Sequence, residues 1–389
     1  MAMPPLVAPG PPLSGAERAR YARHLTLAAI GEDGQRRLRA AKVLVVGAGG
    51  LGSPALLYLA AAGVGTIGIV DDDTVDAGNL QRQVAHRTQD VGRPKTASAA
   101  DAVARVNPEV TVVEHRERLR ADNAAGLVAA YDVVVDGADN FGTRYLVSDA
   151  CAMAGKPDVW GSVLAFDGQL SVWWAGHGPC YRCVFPEPPP DGSVASCATA
   201  GVLGAMCGVV AAMQVTEVVK LITGSGEPLV GRLVIHDALG ASTATLPLVR
   251  DPGCPVCGDA PTITSLVEVA DCARPAEVGE PAPLVSVLDL AAELDGPRPP
   301  VLVDVRESSE RAAAAIAGSV HIPMAAIRDG SYAGQLATGG RVVVHCATGG
   351  RSAVAGRILA EAGYAVRDLD GGIAAWRSAR LPVVGATGG

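Results

Sequence analysis

Residues 43–71 read VLVVGAGGLGSPALLYLAAAGVGTIGIVD, and their pattern decides the fold. Val43 to Val46 is apolar, β-branched and too short for a helix, which predicts a buried strand. Gly47, Gly49 and Gly52 then give G-x-G-x-x-G, with Gly50 between them, and Ser53-Pro54 suits a first helical turn. A second apolar run, Thr66 to Val70, ends in Asp71-Asp72-Asp73, about 20 residues past the glycines. Strand, phosphate-cradling turn, helix, strand and acidic stop follow one another. Backbone N–H groups at the helix start favour an anion, and an acidic side chain after the next strand suits a ribose. A ligand-free α/β core would give the same pattern. A membrane span is the other bland explanation, but the stretch holds seven glycines and a proline.

The rest of the composition narrows the class. A chain of 389 residues, 49% hydrophobic and 19% charged, predicts two or three packed domains. Aromatics are only 4%, so the cores must rest on Val, Leu, Ile and Ala. A net charge of −8 without a basic stripe argues against nucleic acid as a partner. Residues 1–14 are proline-rich, lack the profile of a signal peptide and predict a disordered leader. Nine cysteines without a secretion signal point to metal and thiol chemistry in the cytoplasm rather than to disulfides, and no membrane partner is expected.

Outward from the glycine turn, further charged residues suit a triphosphate better than a dinucleotide. Arg82, in GNLQRQ (78–83), and Lys95, in VGRPK (91–95), follow the acidic stop. Tyr131 to Asp136 predicts another strand, and Asp139 beyond its end is placed to hold Mg²⁺ against phosphate oxygens. Asp139-Asn140 equally suits a cap for a helix from Phe141 to Ala154. Arg23, before the fold, reads alone as a solvated helix face.

Cys180-x-x-Cys183 and Cys254-x-x-Cys257 together predict a closed tetrahedral Cys₄ site for structural zinc, clipped across a helical stretch at 201–222. Cys197 lies between the pairs, in a small-residue segment after prolines. It is either a buried apolar side chain or an activated loop thiol.

A linker at 259–283 precedes a second α/β pattern, with strands at 301–306 and 341–345. The second strand runs into Cys346-Ala347-Thr348-Gly349-Gly350-Arg351-Ser352 and a helix. A cysteine there sits in a ring of backbone N–H groups that stabilises a thiolate or persulfide, and Arg351 adds positive charge. Asp304 and Arg306 are expected to brace the domain, and His345 to pack within it.

In order, RYARHL, GAGGLG, VDDDTVDAGNLQRQ, GRPK, DGADN, CYRC, SCATAGV and DPGCPVCG make residues 15–258 resemble the adenylating enzymes that activate ubiquitin-like proteins. The bacterial molybdopterin-synthase and thiamine sulfur-carrier activators are the matching type. From 284 to about 381, C-x₄-R with DVR, GSVHIP and GGI resembles the rhodanese sulfurtransferases, and a flexible C-terminal tail is expected to complete that domain to 389. The resemblance implies a Rossmann-like doubly wound sheet of the E1-like adenylating type with a Cys₄ zinc knuckle, followed by a smaller rhodanese α/β domain.

By the same resemblance Asp71 holds the ribose with Asp73 nearby, and Asn79, Arg82 and Lys95 meet the phosphates of ATP. Asp139 binds Mg²⁺, and Arg23 reaches the nucleotide of the partner subunit in a homodimer. The implied reaction is adenylation of the C-terminal Gly-Gly of a sulfur-carrier protein. Sulfur transfer from a Cys346 persulfide, loaded by thiosulfate or a cysteine desulfurase, then gives a thiocarboxylate. Cys197 either resolves the persulfide link, forms a thioester or packs. Two other classes compete: a nicotinamide-dependent oxidoreductase with a rhodanese tail, and a non-catalytic scaffold that binds carriers.

Overall fold

The computed structural model describes residues 3–189, 201–268, 282–337, 339–347 and 349–385, which fall into two compact units. The first is built on an eight-stranded sheet. Its strands are β1 (Lys42–Val46), β2 (Thr66–Val70), β3 (Thr111–His115), β4 (Val133–Asp136), β5 (Asp158–Leu164), β6 (Asp167–Trp173), β7 (Arg232–Asp237) and β8 (Ser242–Pro247). Their order is β3-β2-β1-β4-β5-β6-β7-β8. The first five strands run parallel, and β6 to β8 continue the sheet antiparallel.

The central strands are apolar throughout because both faces are covered. On one face Val43, Val45, Ile67, Ile69, Val133 and Val135 pack among the helices Gly52–Ala62, Lys95–Val106 and Gly204–Thr223. On the other, Leu44, Val46 and Val134 meet Tyr131, Leu146 and Val147. Each fully buried Val, Leu or Ile contributes about 1.5–3 kcal/mol relative to an exposed one. The strand order reverses its winding between β1 and β4, so the turns after these two strands open into one crevice.

The helix Gly204–Thr223 is long and apolar enough to cross a membrane by length and composition. Here it lies along β5, β6 and the helix Gly52–Ala62, with Val210, Val218 and Ile222 buried in the core.

The disordered leader is not what the structure contains from Met3 onward. Leu6 N–H donates to Leu221 O at 3.0 Å, Leu13 is buried, and Met3 and Val7 pack on the core. The physical reason is donor supply. An extended, proline-rich chain offers carbonyls with no strand partner, and the helix Gly31–Ala40 presents guanidinium groups to them. Arg36 reaches Gly10 O at 2.8 Å, and Arg39 reaches the carbonyl of Pro11.

The second unit holds a parallel five-stranded sheet. Its strands are β9 (Leu284–Val285), β10 (Val301–Asp304), β12 (Val320–His321), β13 (Arg341–His345) and β14 (Ala365–Leu369), in the order β12-β10-β13-β14-β9. A short antiparallel ladder joins β11 (Ala315–Ile316) to β15 (Val383–Val384). Val303, Val342 and Val344 face one apolar cluster, while Leu302 and Val343 face another with Trp376.

Candidate functional site

The crevice of the first unit is walled by the two turns after β1 and β4 and by the acidic end of β2. Gly47 sits at φ +86°, a backbone state that L side chains rarely adopt. A Cβ on Gly52 would stand 1.7 Å from Gly47 O, so only glycine lets the helix start this close to the turn. Gly49 and Gly50 line the crevice floor.

The turn is locked from three sides. Asp71 Oδ2 accepts the Ala48 N–H at 2.7 Å, and its Oδ1 accepts the Asp73 N–H at 2.8 Å. His86 Nε2 lies 3.0 Å from Ala48 O, and its Nδ1 lies 2.9 Å from Ser98 Oγ. Ser53 Oγ accepts the Ala85 N–H at 2.6 Å. Burial pushes the Asp71 carboxyl above its ordinary value, although Lys95 and the two N–H groups pull the other way.

Lys95 opens the helix Lys95–Val106, is buried, and sets its Nζ 2.9 Å from Asp73 Oδ2 on the crevice wall. Arg82 and Gln83 line the adjoining recess with Gly50 and Asp139. The roles of Asp139 and Asn140 separate. Asn140 Oδ1 caps the helix Phe141–Ala154 by accepting Thr143 N–H at 2.8 Å. Asp139 is exposed, lines both parts of the crevice and makes no hydrogen bond to the described residues.

Two expected residues are not brought to this chain's crevice. Asn79 ends a 3₁₀ turn, Ala77–Asn79, where its carbonyl accepts the Arg82 and Gln83 N–H groups, and it does not line the crevice walls. Arg23 is exposed on the short helix Ala22–Leu25 and does not line them either. Cys197 lies outside the described residues.

Arg144 and Gln83 were not singled out from sequence. Arg144 is buried, donates from Nε to Ala138 O at 3.2 Å, and stacks over Phe141 and Trp160. It fixes the Gly137–Asp139 turn from behind, and its only sequence signal is a position one helical turn after Asn140. Behind the same turn, Asp136 is wholly buried. Its Oδ1 accepts Ala138 N–H at 2.8 Å, its Oδ2 has no hydrogen-bond partner among the described residues, and burial pushes its carboxyl up to about 6.

The four knuckle cysteines converge. Their Sγ atoms approach at 3.3 to 3.8 Å, and all lie within 4.8 Å of one another. A tetrahedral Zn–S site needs S···S separations of roughly 3.8 Å, and disulfides need about 2 Å, so the donor set fits a metal. Without a cation, burial and the neighbouring sulfurs push Cys180 far up and Cys183 up to about 11. Against its own desolvation, the Cys257 and Val256 N–H groups lower Cys254. Among the described residues, the other carboxylates close enough to share an ion are Asp71, Asp72 and Asp73; Asp139 stands apart from them.

In the second unit, Cys346 follows β13 directly and is 2% exposed. Its Sγ accepts the Gly349 N–H at 3.1 Å and lies 3.5 Å from Ser352 Oγ, at the head of the helix Gly350–Glu361. Ile373 and Ala374 N–H groups brace the Cys346 and Ala347 carbonyls at 3.0 Å. Desolvation pushes the Asp304 carboxyl up, but Arg306, which grips it through two N–H groups at 2.9 and 2.7 Å, is foremost among the groups that together hold it low. His345 is fully buried 3.8 Å from Asp304, and desolvation keeps it neutral. Arg351 is within electrostatic reach of Cys346, and both of its terminal nitrogens bind Glu310.

Comparison with known proteins places both halves. Residues 21–256 match the ThiF family and residues 286–379 match the rhodanese-like domain. A protein of Mycobacterium tuberculosis named probable adenylyltransferase/sulfurtransferase MoeZ is 48% identical over 392 residues, covering 98% of each chain. The Bos taurus protein named adenylyltransferase and sulfurtransferase MOCS3 is 42% identical over 95% of this chain and 88% of its own. Among solved structures, E. coli MccB with MccA-N7isoASN superposes with a TM-score of 0.56 at 25% identity, covering 61% of this chain and 74% of that one. The chain belongs to the ThiF family and carries a rhodanese-like domain after it.

Proposed function

We propose that this chain adenylates the C-terminal Gly-Gly carboxylate of a small ubiquitin-like sulfur carrier with ATP and then converts it to a thiocarboxylate. One observation carries the reading. A crevice at the glycine turn, lined by Lys95, Arg82 and an Asp139 with no hydrogen-bond partner among the described residues, shares a chain with a thiol that accepts the Gly349 N–H. Relatives named adenylyltransferase and sulfurtransferase, aligned over nearly the whole chain, support it. The boundaries that go with this reading are an adenylating domain at 15–258, a linker at 259–283 and a sulfurtransferase domain from 284.

A carboxylate is a poor electrophile. In the first step its oxygen attacks the α-phosphorus of ATP and pyrophosphate leaves. The Gly47–Gly52 turn receives the phosphates, Asp71 the ribose, and Arg82 and Lys95 balance charge as it builds. Asn79 supports Arg82 from the turn before it. Arg23 serves the nucleotide of a partner subunit in a homodimer. Asp139 would hold Mg²⁺, which supplies charge neutralisation at the phosphates. The Cys₄ cluster holds zinc as a structural clip.

In the second step a Cys346 persulfide attacks the acyl adenylate carbonyl and AMP leaves. The Gly349 N–H and the Gly350–Glu361 helix N-terminus stabilise the sulfur anion. Cys197 then attacks Cys346 Sγ, releasing the carrier thiocarboxylate and leaving a Cys197–Cys346 disulfide that a thiol reductant must open. The work is assigned to the cytoplasm, with carriers of molybdopterin, thiamine, cysteine or thiolated-tRNA synthesis as substrates.

The test is ATP–pyrophosphate exchange with purified carriers ending in Gly-Gly, followed by intact-mass analysis after adding a sulfur donor. Exchange, plus a carrier in which one oxygen is replaced by sulfur, is the expected result. Cys346→Ala should keep the exchange and lose the sulfur. Thiocarboxylate formed by that variant, or no exchange with any carrier, overturns the reading.

A further inference from the structure

Arg351 meets Glu310 fork to fork. Its Nη1 and Nη2 donate to the two carboxylate oxygens, each at 2.6 Å, with the side chains only 23% and 34% exposed. Two of the guanidinium's five N–H donors are thereby committed, and its charge is matched by the carboxylate beside it. Glu310 is held in turn: its Oε2 accepts the Glu307 N–H at 3.0 Å at the start of the helix Ser308–Ala313. Arg351 keeps the Glu310 carboxyl below its ordinary range, so the pair stays ionised at neutral pH.

Among the described residues, the arginines on the neighbouring elements are also committed. Arg306 is bound to Asp304 and to Ala314 O, and Arg311 to Ser319. His345 is buried and neutral. Cys346 therefore has the Gly349 N–H and the Ser352 hydroxyl to stabilise its own anion, while the arginine that would receive a second anion is already compensated.

That matters for loading. With thiosulfate, the Cys346 thiolate attacks the terminal sulfur, a new S–S bond forms, the donor's S–S bond breaks, and sulfite leaves with the electron pair. With an alkyl persulfide the thiolate attacks the outer sulfur and a monoanionic alkyl thiolate leaves instead. Both routes give the same Cys346 persulfide and need no external oxidant. Only the first brings in a dianion and expels one, and each needs a cation free to meet it.

We propose that Glu310 sets the sulfur-donor specificity of Cys346: by clamping Arg351 it disfavours free dianionic donors and favours an alkyl or peptidyl persulfide. The inference rests on the reading of Cys346 as the sulfur-carrying thiol. Glu310 acts through Arg351 and is a positioning residue.

The test uses the full chain, with cyanide as acceptor and thiocyanate as readout, and compares thiosulfate with 2-hydroxyethyl persulfide as donors. Glu310→Gln keeps an oxygen for the Glu307 N–H and removes the charge. The thiosulfate-to-persulfide ratio of kcat/KM should rise about tenfold, mainly through a lower KM for thiosulfate. Adding Arg351→Gln should return the ratio to near the wild-type level. An unchanged or lower ratio in Glu310→Gln, or a gain that survives in the double variant, overturns the clamp. Should Glu310→Gln fail to fold by circular dichroism, Glu310→Asp, too short for the two-point grip, takes its place with the same expected direction. A wild-type chain that turns over neither donor removes the Cys346 reading and this inference with it; turnover of both with no change of ratio removes the inference alone.

Discussion

Asp71 ties the end of β2 to the glycine turn after β1: its Oδ2 accepts the Ala48 N–H at 2.7 Å while its other oxygen accepts Asp73 N–H at 2.8 Å. One carboxylate thus shapes the glycine turn and lines the crevice in which the proposed reaction puts the ribose. Asp71→Ala leaves two N–H groups without acceptors and should cost about 1–3 kcal/mol in urea unfolding. Asp71→Asn keeps one acceptor oxygen and should lose less stability, yet raise the KM for ATP in pyrophosphate exchange. Equal KM for wild type and Asp71→Asn would remove the ribose role.

Asp139 and its neighbour Asn140 should separate function from stability. Asp139 has no hydrogen-bond partner among the described residues, so Asp139→Ala should leave Tm almost unchanged and abolish pyrophosphate exchange. Asn140→Ala loses the cap on Phe141–Ala154 and should cost about 1 kcal/mol. If Asp139→Ala exchanges normally, the magnesium assignment fails.

Chelation should unfold the first unit rather than block a single chemical step, because the four Sγ atoms lie within 4.8 Å of one another, with Cys180 and Cys254 buried, and as thiolates they would repel without a cation between them. The expected result is loss of the cooperative melting transition of that unit on removal of zinc, with zinc found by metal analysis of the untreated protein. An unchanged melting temperature after full zinc removal would sink the clip.

The buried Asp136 makes a signed prediction about pH. Its folded carboxyl titrates at about 6, above an ordinary aspartate, because burial disfavours the charge. A raised carboxyl gives a contribution that is whole below the unfolded value near pH 4 and lost as pH climbs through about 6. For a shift of this size the loss is on the order of 3 kcal/mol. Asp136→Asn should therefore gain stability relative to wild type at pH 7 and little at pH 4, read from urea unfolding at both. A gain that does not grow with pH would refute the assignment.

Much of this was legible because the informative residues are local. Val43–Val46 and Thr66–Val70 are short apolar runs in a doubly covered sheet, and the structure places strands on both. The helix Phe141–Ala154 falls where Asn140 and Gly155 bracket it. What sequence could not supply was pairing at a distance. Nothing local says that Glu310 will seize Arg351, 41 residues away. The arginines of Gly31–Ala40 look like a solvated face until the proline-rich chain is laid beside them. Nor does spacing tell Asp139 from Asn140; the cap geometry does.

The locks on Ala48 have a consequence for how a nucleotide is received. Asp71 and His86 engage the peptide units around Ala48 before any ligand arrives, and the closeness of Gly52 to Gly47 leaves the backbone no slack. Ordering entropy that a flexible phosphate loop would forfeit at each binding event has here already been lost during folding. The turn thus has its shape before a ligand is present, and a nucleotide received there would not have to make it.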